Sequence, residues 1–567
     1  MKPPATTSWI AQPLQALTRY RHACLRSDLL AGLLVSVLLI PQSLAYAMLA
    51  GLPPQIGLYA SLLPLLAYAI WGSSPVLGVG PVAVLALMIA QTLGALPTGV
   101  SPSEAALVLA AEVGLILLLA SALRLDALAS LLSVPVLIGF ETGATLTIAM
   151  SQLPVLLGSP AQGFELPGMW QSVLASDFAW HGLSAGFGVL ACALLLAGRR
   201  WLPAGAARLA PMALLLLAMG TAWLSNASSQ GVAVVGTLPP LSLHSSLPRL
   251  DGELWWQLAP SALLIALIAY VSSLVVAESL GRRRGERVLA GAELRGLAAA
   301  NLCAAFSGGM PVAGSFSRSV LMHEAGSRSR ASGIFVALFM GLAVLILAEP
   351  LAWLPKSVLA ATILVAVLSG LKLQPFVQAW RYARPEALLM VAVSAIVLCW
   401  SVTAALALGV LGSIALLLQR TAQPHVALIG RVPGTEHYRN VGRHVVECQP
   451  GVLGLRIDES LLFTNARNLS DVVQGLLNQH PDTRRVVLLM SPVNSIDFSG
   501  LEALRELHAH LKRQGLRLDL SEVKGPVLDR LRAADWQQWF EGQVFLSHHQ
   551  GMLDKEPQPV DKAVNET

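Results

Sequence analysis

The stretch Gly308-Gly309-Met310-Pro311-Val312-Ala313-Gly314-Ser315-Phe316-Ser317-Arg318-Ser319 decides how this chain is read. It lies inside a long apolar region, yet it opens on glycine and proline and closes on an arginine between two serines. Non-helical backbone at membrane depth survives only where it is buried in protein or lines a water-filled cavity. An arginine at that depth is costly in lipid, so it should face a cavity and meet an anion. The helix that follows would turn its N-terminal N–H groups, with their partial positive charge, toward the same spot. Helix-end donors, the Ser315 and Ser317 hydroxyls and a guanidinium suit an oxyanion, which arginine can hold bidentately. The competing reading is an arginine snorkelling to a headgroup; the Gly/Pro approach argues against it.

A second stretch, Gly78-Val79-Gly80-Pro81-Val82-Ala83, mirrors the first seven hydrophobic segments earlier. Corresponding interrupted segments in two halves point to a transport site between inverted repeats. Two half-helix ends converging near the midplane would make one electropositive pocket. Ordinary kinked helices are the plainer alternative.

The totals fit a membrane protein. Of 567 residues, 54% are hydrophobic and only 13% charged, against about 25% charged in an average soluble domain. From about Leu29 to about Leu418 the chain is a series of apolar runs. At ~20 residues per span they read as about fourteen segments. These centre near Val37, Leu63, Leu87, Ile116, Ile138, Val189, Leu216, Ile268, Ala299, Val320, Leu338, Leu364, Val393 and Val410. After Arg420 charges recur every few residues, which marks a domain boundary. The expected division is a cytoplasmic segment 1–28, a transmembrane domain 29–420, a soluble domain 421–548 and a polar, disordered tail 549–567. The N-terminal stretch has no apolar core and is not a signal peptide.

The net charge of +5 follows from arginines in membrane loops and does not point to nucleic acid. With the N-terminus inside, even-numbered segments end inside, at Arg124, Arg199, Arg200, Arg282, Arg283, Arg284, Arg287, Arg328, Arg330, Lys372, Arg381 and Arg384. Outside loops hold little beyond Arg249 and Lys356, and the Gly158–His181 loop carries Glu165 and Asp177. This bias places both termini in the cytoplasm, and the membrane expected is a bacterial-type inner membrane.

Intramembrane acids are functional candidates by default. Glu278, near the cytoplasmic end of the eighth segment, ranks first. Beside Arg318 it would pair when the site is empty, and its protonation would make the pocket more positive. That gives proton-coupled uptake a physical basis. The alternative is an interfacial acid paired with the Arg282–Arg284 cluster. Glu112 and Glu141 rank lower, because neither lies beside an interrupted helix. On the first segment Gln42 and Tyr46 are four apart and share a helical face. Their amide and hydroxyl are neutral donors, although polar residues often simply join membrane helices. Cys24, Cys192, Cys303, Cys399 and Cys448 show no metal spacing and read as packing residues. His181, His244 and His323 are isolated and read as structural. No nucleophile–His–acid set, metal cluster or cofactor motif appears, so an enzyme is not expected.

Several runs resemble the sulfate permease (SulP) family. They are Asp28-Leu29-Leu30-Ala31-Gly32, Pro41-Gln42-Ser43-Leu44-Ala45-Tyr46, Ala50 to Tyr59, Val79-Gly80-Pro81-Val82-Ala83, Leu132 to Phe140 and Gly308 to Ser319, in family order. The resemblance implies two inverted seven-segment repeats forming a core and a gate domain, a homodimer, and elevator-like motion. It places substrate between the third and tenth helix ends. Val82, Ala83 and Ala86 would lie on one side, and Ser315, Phe316, Ser317 and Arg318 on the other. Gln42 and Tyr46 match anion-contacting positions, and Glu278 matches the coupling acid of plant-type proton–sulfate carriers. Ala86 departs from the serine many sulfate members carry.

Strand–helix alternation after about Val432 implies an α/β domain. Val452–Ile457, Leu461–Phe463, Val486–Met490 and Leu516–Leu520 read as strands; Ala466–Leu477, Leu501–Leu511 and Val527–Ala534 read as helices. Phe463-Thr464-Asn465-Ala466 and Asn494 to Gly500 resemble the STAS domain, whose loop is phosphorylated in soluble anti-sigma antagonists. Ser499 is the matching candidate phosphosite, with a helix N-cap the preferred reading. The domain would regulate transport, support a dimer or bind a protein or ligand. The expectation is thus a proton-coupled sulfate symporter. The alternatives are a bicarbonate or dicarboxylate carrier, proton- or sodium-coupled, or an anion exchanger or channel.

Overall fold

A computed structural model describes residues 24–97, 99–125, 132–159, 166–175, 180–237, 247–371, 373–422 and 426–553. Glu165, Asp177, His244 and Lys372 lie outside the described residues, as do residues 1–23 and 554–567. The chain forms two compact units that divide after Ser413.

The first unit is helical. Its elements are α1 (Leu25–Leu49), α2 (Pro54–Tyr59), α3 (Leu63–Trp71), β1 (Gly78–Gly80), α4 (Ala83–Gly94), α5 (Pro102–Ala122), α6 (Val134–Leu157), α7 (Leu166–Ala175), α8 (Gly182–Trp201) and α9 (Ala204–Leu224). There follow α10 (Gly252–Arg284), α11 (Ala290–Phe306), β2 (Ala313–Ser315), α12 (Phe316–Glu324), α13 (Ala331–Leu351), α14 (Lys356–Leu368), α15 (Gln374–Tyr382), α16 (Arg384–Cys399) and α17 (Val402–Thr421), whose residues after Ser413 belong to the second unit. Each of the expected centres falls in one of these helices. The second segment is broken at Ala60-Ser61-Leu62 into α2 and α3, with Pro64 in the first turn of α3, and α4 and α12 are half-length. At 33 residues α10 is about 50 Å long, more than the ~30 Å of hydrocarbon, and it ends on the charged run Arg282–Arg284.

The packing repeats with a shift of seven spans. Helix α1 lies against α13 as α10 lies against α5, and α5 against α11 as α13 against α3. Likewise α6 meets α16 as α14 meets α8, while α3–α11 and α6–α14 are self-matched pairs. The strands β1 and β2 run antiparallel, with Gly78 opposite Ser315, Val79 opposite Gly314 and Gly80 opposite Ala313, as inverted repeats require. Helices α1–α5 and α10–α13 form the core domain; α6, α8, α9, α14, α16 and α17 form the gate.

Backbones approach closely where glycine allows it. A Cβ on Gly296 of α11 would lie 2.6 Å from Gly72 Cα, and one on Gly309 would lie 3.0 Å from Ala60 Cα. Small residues at such crossings replace a hydrophobic drive that lipid cannot supply.

The second unit carries a six-stranded sheet in the order β4-β3-β5-β6-β7-β8. Its strands are β3 (Val426–Arg431), β4 (Tyr438–Asn440), β5 (Val452–Ile457), β6 (Arg485–Leu489), β7 (Arg517–Ser521) and β8 (Val544–Phe545). Strands β5 to β8 are parallel, and β3 is antiparallel to both neighbours. Helices α18 (Asn468–Gln479), α19 (Phe498–Arg513), α20 (Gly525–Ala533) and α21 (His548–Leu553) complete it. The run Leu461–Phe463 is not a strand. Only Leu461 bridges, to Ile496, because Asn465 Oδ1 accepts the Leu462 N–H at 3.0 Å and turns the chain. Residues 549–553, expected in the tail, belong to α21, which packs its Met552 among Ala427, Ile429 and Val487.

Candidate functional site

The β1–β2 crossing sets the geometry. Beyond it α4 begins at Val82 and α12 at Ser315, two N-caps in extended backbone, neither with a side chain accepting its helix N–H groups. Helix-start donors left without side-chain caps favour a negative partner. Arg318, in the first turn of α12, is fully buried. Its Nη1 donates to the Pro81 carbonyl at 2.7 Å, tying one half-helix to the residue before the other. Its Nε and Nη2 are buried and make no hydrogen bond with the described residues. Two orphaned guanidinium N–H groups beside uncapped helix starts suit an oxyanion.

Glycine makes this packing possible. A Cβ on Gly78 would lie 2.9 Å from Arg318 Cβ, and one on Gly80, whose φ is +154°, would lie 3.5 Å from Nη2. Serines knit the crossing: the Gly78 N–H donates to Ser319 Oγ at 3.0 Å, and Ser319 Oγ–H to the Ser315 carbonyl at 2.6 Å. From α10, Ser273 Oγ accepts the Gly314 N–H at 2.8 Å.

Helix α1 lies against both α4 and α12. Tyr46 is buried within electrostatic reach of Arg318, and one turn away Gln42 Oε1 is buried without a hydrogen-bond partner among the described residues. Val82, Ala83 and Ser315 are half-buried, Ala86 is fully buried, and Phe316 and Ser317 are exposed, with Ser317 Oγ 3.2 Å from Ser315 Oγ. The structure thus brings Gln42 and Tyr46 to the same crossing as the two half-helix starts.

Glu278 is placed differently from the expected pairing. It lies five residues beyond Ser273 on α10, half-exposed, and accepts Arg282 Nη2 at 3.1 Å. The i, i+4 spacing puts Arg282 within easy reach, while Arg318 is committed to Pro81. The Glu278–Arg318 pair is therefore not formed, and the alternative partner, the arginine cluster, is the one observed. Glu112 is buried on α5 with Oε2 unpartnered among the described residues, and Glu141 sits on an exposed face of α6. His181 caps α8 by accepting the Ser184 N–H.

In the second unit the cap of α19 is not Ser499. Asp497 accepts the Gly500 N–H at 2.8 Å through Oδ1 and the Phe463 N–H at 2.7 Å through Oδ2. Ser499 is exposed at the second helical position.

Sequence reading missed Glu293 and Asn301, both on α11 and fully buried. Glu293 Oε2 accepts Tyr68 Oη–H at 2.7 Å, and Oε1 accepts the N–H groups of Ser73 and Ser74 at 3.1 and 3.0 Å. Asn301 Oδ1 accepts the Val312 N–H at 2.9 Å while Nδ2 donates to Val312 O at 3.1 Å. A polar residue in the apolar run Leu297 to Ala305 was the available signal for Asn301. Glu293 was hidden among the charges at the helix end.

An inverted-repeat membrane protein whose half-helices meet over a buried arginine is the class defined by this fold and site. Residues 25–393 match the sulfate permease family and residues 443–551 the STAS domain, so the chain belongs to the sulfate permease family and ends in a STAS domain. A Mycobacterium tuberculosis protein named "Probable sulfate transporter" is 34% identical over 545 residues, covering 94% of this chain and 96% of its own. Sulfate transporter 4.1, chloroplastic, of Arabidopsis thaliana is 30% identical over 516 residues, covering 87% and 74%. Murine SLC26A9 in its inward-facing state shares the fold, with a TM-score of 0.86 at 21% identity over 97% of this chain and 96% of that one.

Proposed function

We propose that this protein is a secondary active transporter of sulfate in a bacterial-type inner membrane, with both termini cytoplasmic. The observation that carries the reading is the pair of uncapped helix starts at Val82 and Ser315 over the two unpartnered N–H groups of Arg318. A dianion there would accept from helix ends, guanidinium and the Ser315 and Ser317 hydroxyls, with Tyr46 and Gln42 closing the site from α1. The sulfate transporter names of relatives at 30% and 34% identity favour sulfate among oxyanions.

Transport follows from the division into core and gate. The site lies within the core, so elevator-like displacement of the core along the gate would carry the anion across. Glu278 is the proposed proton carrier: its protonation releases Arg282 and makes the inner mouth of the site more positive. A homodimer and a regulatory STAS domain, with Ser499 exposed to modification, complete the reading. Ala86, which brings no hydroxyl, favours bicarbonate or a dicarboxylate as the second choice of substrate.

Radiolabelled sulfate uptake into proteoliposomes tests it, with and without an inward proton gradient. Saturable uptake stimulated by the gradient supports a proton–sulfate carrier. Non-saturating anion current would point to a channel. No sulfate uptake at either pH would move the assignment to bicarbonate or a dicarboxylate.

A further inference from the structure

We propose that α11 is the positioning element of the anion site, acting through Glu293 on one arm and Asn301 on the other. This inference rests on the anion-site reading above and assigns residues that touch no substrate.

Each half-helix start hangs on a short non-helical arm. The first arm runs from Gly72 to β1 and on to Pro81, whose carbonyl holds Arg318. The second runs from Ser307 to β2 and on to Ser315. Such arms lack internal ladders, so their backbone groups need partners from elsewhere. Ser319, Ser273, Ser327 and Arg330 hold some of them, and helix α11 holds both arms from one element. Near its start, Glu293 accepts from Tyr68, Ser73 and Ser74, none of them a cation. The Ser73 Oγ–H also donates to Glu293, so one carboxylate gathers the end of α3 and the first two serines of the first arm. Two turns on, Asn301 meets both backbone groups of Val312, one residue before β2, and anchors itself by donating to the Leu297 carbonyl at 2.9 Å.

Gly296 lies between these anchors, and its missing side chain lets the first arm cross at Gly72. A buried carboxylate loses its hydration, so it persists only with its acceptor sites filled by fixed donors. Here the donors are the arm itself. The arm cannot drift without stranding the charge. Both arms are therefore referenced to one rigid helix, and the spacing of the two helix starts around Arg318 follows from the spacing of Glu293 and Asn301 on it.

The test is transport kinetics of the full-length protein in proteoliposomes, using sulfate as the probe. Asn301→Asp is isosteric but sets a carboxylate oxygen against the Val312 and Leu297 carbonyls. Glu293→Leu strands four donors. Each is expected to raise the sulfate KM about ten-fold or more, with Vmax per folded molecule changed by less than about three-fold. Glu293→Gln keeps an oxygen for the serine N–H groups, and the Tyr68 hydroxyl can turn to accept from its amide. It should restore KM to within about three-fold of the parent. Should Glu293→Leu fail to fold, Tyr68→Phe removes one donor without opening a cavity and should still raise KM. Parental KM in folded Asn301→Asp and in folded Glu293→Leu or Tyr68→Phe would overturn the proposal. A parental protein that takes up no sulfate would instead overturn the substrate reading, and the same variants would then be read with bicarbonate.

Discussion

Arg318 Nη1 and the Pro81 carbonyl are 2.7 Å apart across 237 residues of chain, so the first turn of one half-helix is fastened to the residue before the other. This bond does two things. It satisfies one guanidinium nitrogen, and it leaves Nε and Nη2 buried with no hydrogen bond to the described residues. Arg318→Ala should abolish anion uptake while leaving expression and folding intact. Arg318→Lys keeps charge but loses the planar fork, and should retain only a small fraction of uptake. Near-normal transport by the alanine variant would remove the assigned site.

Gly78 has no room for a side chain. Gly78→Ala would drive a methyl to 2.9 Å from Arg318 Cβ, an overpacking change that typically costs about 1–3 kcal/mol. Uptake should fall well beyond the loss of folded protein, because the displaced residue is Arg318. Equal losses of uptake and of folded protein would argue that the contact matters only for stability.

The Glu278–Arg282 pair separates a role in coupling from a role in stability. Both side chains are substantially exposed, so the pair contributes about 0–1 kcal/mol. Glu278→Gln should leave the melting temperature nearly unchanged, abolish acid-stimulated uptake and retain sulfate–sulfate exchange. Unchanged acid stimulation would exclude Glu278 as the proton carrier.

His548 predicts an acid response in the STAS domain. The imidazole is buried at the start of α21, with Nδ1 2.7 Å from Ser521 Oγ, Tyr438 edge-on, and the charges of Glu522 and His549 acting on it. Burial lowers its pKa from an ordinary 6.5 to about 4, outweighing the attraction of Glu522. Above pH 6.5 docked and undocked imidazoles are both neutral. Between 6.5 and 4 the undocked imidazole takes a proton that the docked one refuses, so stability falls with pH, by up to about 3 kcal/mol at pH 4. Protection factors of residues 548–553 in the full-length protein, taken relative to the intrinsic exchange rate at each pH, should fall from pH 7.5 to 5. A His548→Gln variant should lose that dependence.

Asp497, not Ser499, holds the start of α19. Asp497→Ala should destabilise the domain by about 1 kcal/mol or more, since two N–H groups lose their acceptor. Ser499→Ala should stay within about 0.5 kcal/mol. Denaturation of the two variants side by side decides between them, and leaves Ser499 free to be tested as a phosphate acceptor.

Much of this molecule was legible in one dimension. The apolar runs were long enough to count as spans, the Gly/Pro interruptions seven spans apart announced two half-helices, and Arg318 stood out because a cation in an apolar run needs a reason. Val452–Ile457 was read as a strand with its observed bounds because alternation is a local signal. The sequence points to Ser499 as the cap and to Leu461–Phe463 as a strand, because the competing local hydrogen bonds from Asp497 and Asn465 leave no periodic trace.

What only the tertiary structure decided are the pairings over long separations. The register of β1 on β2 is one, and the choice of Pro81 by Arg318 and of Arg282 by Glu278 is another. The grip of Glu293 and Asn301 on the two arms is a third. Hydrophobic period and helix-breaking residues act over a few positions, so they are written into the chain. Partner choice depends on which buried donors and acceptors the packing of α3, α10, α11 and α12 leaves without water, and that is settled only when the helices meet.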